Sequence, residues 1–258
     1  MCSFCFFIYL YQTKVIKMSD EKFKFPTEVI ELPSKGKVYP ADHPLSSGTV
    51  EMKYMTAKEE DILTNQNLID KGIVLDKLME SLTMNKFNIS DIIPGDKNAL
   101  LVAARVLGYG KDYSFGYKDK NYSIDLSTID NKPFDDSILT SEGTIKFTLP
   151  KSQTEIEFKL LTEKDTDLIS KELEGLKKAN VNNGGEITTR LKRTIVAVNG
   201  SKDKNEIKDF VDNYLLAQDS RALRLYIKEI SPDVDLTYNT GEETIDIPIT
   251  LNFFWPDL

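Results

Sequence analysis

Residues 50–63 read VEMKYMTAKEEDIL. Val50, Met52 and Tyr54 alternate with Glu51 and Lys53, the period of two that marks a half-buried strand. Thr56 followed three residues later by Glu59 is a capping box at a helix start, and Ile62 and Leu63 give that helix an apolar side. Residues 156–169, IEFKLLTEKDTDLI, repeat the pattern. Glu51 and Glu157, Lys53 and Lys159, Thr56 and Thr162, Lys58 and Lys164, and Asp61 and Asp167 are identical at one offset, 106 (157 − 51). Two further echoes follow in the same order. Residues 96–100, DKNAL, match 219–223, DSRAL, and Tyr117 and Ile124 match Tyr238 and Ile245. The expected fold is therefore α+β: two tandem, duplicated strand–helix–hairpin units with mainly helical cores and short antiparallel sheets.

Working outward, residues 27–49 carry Pro33, Gly36, Pro40, Pro44 and Gly48 and read as an extended, turn-rich arm. Such an arm lies across its own domain or across a neighbouring subunit. The first unit is expected over 50–130. It holds a helix over 57–64, a helical segment over 67–83 that Gly72 interrupts, a helix capped by Asp96, and a hairpin around the KDKN turn. Residues 131–143 read as a linker, and 144–258 as the second unit. There the sequence predicts a hairpin turned by PKSQ, a helix over 163–178 and a break at 180–185. Ile187, Leu191, Ile195 and Val198 predict a helix ending near Gly200, and helices over 205–216 and 219–230 precede a last hairpin and an aromatic tail. Residues 1–26 read as a disordered or artefactual extension. The apolar run at 4–10 is too short to cross a bilayer, and Met18 opens an ordinary polar start.

Composition narrows the function. A net charge of −8 and a pI of about 4.9 argue against a grip on nucleic-acid phosphates, and no dense basic run is present. The cysteines are Cys2 and Cys5 and the single histidine is His43, so no disulfide framework or thiolate metal site is expected in the body. One histidine leaves little room for a catalytic triad, and neither a P-loop nor a dinucleotide-binding glycine pattern occurs. The acidic run Glu59-Glu60-Asp61 has a sufficient explanation in the helix dipole. No catalytic, cofactor-binding or metal-ligating residue is expected.

The candidate contact residues are Leu32, Pro33, Lys35 and Tyr39 in the arm and Phe253, Phe254 and Trp255 in the tail. Three consecutive aromatics should not be left in water. They either cap the chain's own core or anchor it into a partner, where aromatics are common hot spots.

The stretches ELPSKGKVYP, MKYMTAKEEDILTNQNLIDKGIVLDKL, PGDKNALLVAARVLGYG and FFWPDL, in this order, resemble the T4-type baseplate protein family of contractile-tailed phages. The resemblance spans about 29–258. It implies a non-enzymatic structural component or assembly factor of the baseplate hub, found in the virion tail or in the host cytoplasm during assembly. Its partners would be other hub and tail proteins, in a ring or hetero-oligomer, with no nucleic acid, membrane or cofactor. Cys pairs in the two hairpins of some similar sequences are absent here at 115–122 and 238–244, which puts a metal role in doubt and leaves the assembly role intact. The alternatives are a tail-associated enzyme such as a cell-wall hydrolase, and an unrelated scaffold.

Overall fold

The computed structural model describes residues 26–178 and 185–254. The N-terminal extension, most of the expected break at 180–185, and Trp255 lie outside these. Among the described residues the fold is α+β, with eight α-helices and short antiparallel sheets of two or three strands.

The opening motif forms as the sequence predicts. Strand β2 (Thr49–Lys53) buries Val50 and Met52 and exposes Glu51, and α1 (Ala57–Leu63) starts at Thr56 with the Thr56–Glu59 capping box in place. Its partner strand β1 (Thr27–Glu31) pairs antiparallel with β2 from Thr27 opposite Lys53 to Glu31 opposite Thr49. The turn-rich stretch is thus a strand followed by a long hairpin connection. That connection folds back on its own domain, with Leu32, Leu45 and Tyr39 buried. Helices α2 (Gln66–Asp70) and α3 (Val74–Leu82) are separated at Gly72, whose φ of 68° suits glycine and ends the first segment.

Helix α4 (Pro94–Tyr109) begins two residues before the expected cap. Pro94 occupies its first turn, where a missing N–H costs nothing. Asp96 therefore sits inside the helix, and its carboxylate turns to other work. The hairpin β3 (Asp112–Tyr117) and β4 (Lys120–Asp125) closes through Lys118 and Asp119, both at positive φ, as a two-residue turn requires. The stretch read as a linker is folded down: Phe134 is buried, and Asn131 bridges to Val234.

In the second half β5 (Ile145–Thr148) and β6 (Glu155–Phe158) pair as a hairpin, followed by α5 (Glu163–Lys178). The helix expected to reach Gly200 stops early. It is α6 (Glu186–Thr194), after which the β-branched run Ile195–Val198 forms β7 on the free edge of β6. A β-branched stretch prefers the pleated edge, and the i, i+3 spacing of Ile195 and Val198 suits either structure. Helix α7 (Lys204–Asp209) continues into one π-helical turn, Phe210–Tyr214, before α8 (Ala217–Ile230). The last hairpin is β8 (Thr237–Asn239) and β9 (Thr244–Asp246).

Two hydrophobic cores result. One gathers Ile145, Ile156, Phe158, Leu191, Val211 and Leu223. The other gathers Leu32, Met52, Leu63, Leu78 and Leu100 with Val234, Ile247, Phe253 and Phe254. The second unit as read from the sequence, 144–258, is thus shared between the cores, and its closing segment returns to the first. There the hairpins meet: Tyr238 lies edge-on to Phe115 at 5.4 Å, Lys120 pairs with Glu242 at 2.9 Å, and Lys118 pairs with Glu243. Register also corrects one correspondence. Ile245 faces Tyr238 as Ile124 faces Tyr113, so the structural counterpart of Tyr238 is Tyr113, not Tyr117.

Candidate functional site

Of the predicted arm residues, Tyr39 reaches Asp96, joined there by Ser34, which is not among them. Ser34 donates from its amide to Oδ1 (2.9 Å) and from its hydroxyl to Oδ2 (2.6 Å), and the Tyr39 hydroxyl donates to Oδ2 at 2.7 Å. The Ile93 amide in turn donates to the Tyr39 hydroxyl at 3.1 Å, so one buried carboxylate fixes both the hairpin connection and the start of α4. Burial pushes the Asp96 carboxyl above its ordinary value, against the lowering effect of the Ser34 and Tyr39 bonds. Burial, and the neighbouring Asp96 charge, push the Tyr39 phenol far up as well. Leu32 and Pro33 are buried, and Lys35, at φ 53°, is exposed at the bend. His43 lies on the same connection, stacked on Tyr39 at 5.4 Å and accepting from the Leu45 amide at 3.2 Å.

Of the predicted tail residues, the two described, Phe253 and Phe254, lie at the far end of α4. Phe253 and Phe254 are fully buried, and Tyr113 meets Phe253 edge-on at 4.8 Å. The buried Arg105 of α4 donates to the backbone oxygens of Phe253 (3.0 Å), Gly110 (2.8 Å) and Asp112 (3.1 Å), clipping the tail to the hairpin. These two phenylalanines cap the chain's own core.

The second half carries the same set of contacts. The Thr27 hydroxyl donates to Glu51 at 2.7 Å, and the Thr144 hydroxyl donates to Glu157. Lys53 reaches Glu59 at 2.8 Å beside Thr56, and Lys159 reaches Asp165 at 2.7 Å beside Thr162. Asp219, third in α8 as Asp96 is third in α4, accepts from the amides of Lys151 (2.7 Å) and Ser152 (3.0 Å) in the β5–β6 turn. Each turn follows a Leu-Pro pair, Leu32-Pro33 and Leu149-Pro150, a further echo between the halves that is legible in the sequence. The two aspartates titrate in opposite directions. At Asp219 burial also opposes ionisation, but the two amides and the Lys151 charge outweigh it and hold the carboxyl low.

Glu59 needs more than the helix dipole. It is fully buried and accepts from Lys53, from the Thr56 amide (2.9 Å) and hydroxyl (2.6 Å), and from the Ser81 hydroxyl at 2.7 Å. Burial opposes its charge, but these bonds together bring the carboxyl down from 4.5 to about 2. Among the described residues no group of three or more His, Cys, Asp or Glu side chains could hold a metal ion, and no helix is long and apolar enough to cross a membrane.

Between the halves lies a cleft of about 370 Å³. Its walls come from the start of α4, the segment after β6, α6 and α8, with Leu160, Leu191 and Ile227 among its apolar groups and Arg190, Arg224 and Lys228 among its polar ones. No single stretch of sequence announces it, because those elements are far apart in the chain.

The buried carboxylates Glu59, Asp96 and Asp219 are thus each taken up by neighbouring amides, hydroxyls or a lysine. A family model described as T4 bacteriophage base plate protein matches residues 24–255, and the chain belongs to that family. No curated protein and no solved structure matches it.

Proposed function

We propose that this chain is a non-enzymatic component or assembly factor of the central hub of a contractile phage tail baseplate, working through contacts with other hub and tail proteins. The observation that carries the reading is the family match along nearly the whole chain. The polar chemistry is consistent with it: Asp96, Asp219 and Glu59 are spent on backbone amides and neighbouring side chains. We also take the two halves to be copies of one unit. The matched contacts of Glu51 and Glu157, Lys53 and Lys159, and Asp96 and Asp219 support this. Two similar units on one chain suit a bridge between subunits of a ring. Of the predicted contact residues, Lys35 faces outward and is kept as a contact, while Leu32, Pro33 and Tyr39 shape that surface from beneath.

The test is a pull-down of the tagged protein from phage-infected cells, beside mass spectrometry of purified virions. Hub proteins in the pull-down with this chain in virions mean a structural hub component. Hub proteins without the chain in virions mean an assembly factor that leaves. Recovery of no tail protein refutes the reading.

A further inference from the structure

The chain carries five arginines, Arg105, Arg190, Arg193, Arg221 and Arg224, against a large excess of lysine. Arg105 is buried and fastens the tail. The other four lie on α6 and α8, and two of them, Arg190 and Arg224, line the cleft between the halves. Neither of those two, nor Lys228 beside them, has a carboxylate partner among the described residues. The one carboxylate in the cleft lining, Asp233, accepts from Asn98 at 3.0 Å, and the lysine there, Lys159, is held by Asp165 at 2.7 Å. Arg190, Arg224 and Lys228 are exposed, so the cationic rim faces solvent in a protein of net charge −8. The rim continues along α8 through Arg221, with Leu225 beside it 58% exposed.

Charge and shape select the occupant. Guanidinium groups pair with carboxylates in a planar, two-bond geometry that lysine does not offer. Leu160, Leu191 and Ile227 supply an apolar floor that a hydrated carboxylate alone would leave unfilled. Among the described residues no aromatic ring lines the cleft for a base to stack on, and a nucleic-acid site needs a longer basic track. We propose that this cleft docks an acidic peptide segment of a partner protein, with Asp or Glu side chains on Arg190, Arg224 and Lys228 and an apolar side chain on the floor between them. This rests on the reading of the chain as an assembly component, since it names the chemistry of one of its contacts.

The experiment places a photo-crosslinking amino acid at Leu225 in phage-infected cells and sequences the joined peptide by mass spectrometry. The expected product is a peptide of another protein in which acidic residues flank an apolar one. Its yield should fall by roughly tenfold or more when Arg190→Glu and Arg224→Glu are combined. Circular dichroism melting checks that this variant folds; if it does not, Arg190→Gln with Arg224→Gln takes its place and the same loss is expected. A crosslink to nucleic acid, a partner peptide without acidic residues, no crosslink, or a yield indifferent to charge reversal overturns the proposal. Tail proteins still recovered in the pull-down alongside any of those results would leave the hub reading standing and remove only the cleft. Their absence from the pull-down of the unaltered chain would remove the hub reading itself.

Discussion

Glu59 binds its proton more weakly in the folded chain than in the unfolded one, and that difference is a stability term with a definite pH window. Its carboxyl falls from 4.5 to about 2 on folding. Above the higher value both states are ionised and the whole contribution, at most about 3 kcal/mol, is present; it is lost as the pH falls toward the lower value. Asp96 works in the opposite sense, because its carboxyl is raised by burial: the cost of its charge is felt at neutral pH and relieved on acidification. Urea titrations across this range should therefore show Glu59→Gln losing stability at pH 7 and giving a flatter acid limb than the unaltered chain. An unchanged limb would mean that Glu59 is not the group responsible. Removing the other carboxylate, Asp96→Ala, leaves the Ser34 and Tyr39 donors buried without their acceptor and should cost about 2–4 kcal/mol in the same assay. A double-mutant cycle of Asp96→Ala with Ser34→Ala should be non-additive by about 1 kcal/mol or more, since both report one network.

At the scale of elements, the start of α4 packs closely against the segment that leaves α8. A Cβ on Gly95 would lie 1.9 Å from the Pro232 carbonyl oxygen, which is backbone and cannot swing aside. Gly95→Ala should thus destabilise by about 3 kcal/mol or more, read by denaturant titration, through separation of these two ends. A cost near zero would mean that the halves slide freely there. Elements with a strong single signal were legible from sequence: the capping box at Thr56, the break at Gly72 and helix α5 all form where their residues dictate. Strand β7 was not, because Ile195 and Val198 satisfy the helical period and only the open edge of β6 decides between the two structures. Nor was the role of Asp96. An aspartate near a helix start reads as a cap until the structure shows that Pro94 begins the helix and that the acceptor faces residues far away in sequence. The cleft was illegible for the same reason, since its residues meet only through tertiary packing; the one trace in the sequence is the crowding of arginine into α6 and α8.

For the molecule as a whole, the two cores are tied by the segment that leaves α8 and packs on the first half. Asn131 and Lys132 join this strap to the stretch between the halves through a bridge to Val234 and a bond to the Asp233 carbonyl. Calorimetry of the full chain should accordingly give one cooperative transition. Ending the chain after Asn252 removes Phe253 and Phe254 from the first core and should lower its stability by several kcal/mol, on the order of the cost of emptying a buried phenylalanine site. The melt should then split, with the first half unfolding at the lower temperature; a truncated chain that melts like the intact one would show that the tail is dispensable to the core. The path of the strap also sets a timetable. A ribosome delivers residues 32–126 long before it delivers Phe253 and Phe254, so the first half waits, with Tyr113 and Arg105 still without their contacts to Phe253, until those residues emerge. A nascent chain, or one released before Phe253, is left with an open apolar pocket, and the first core is complete only once Phe253 and Phe254 have been added.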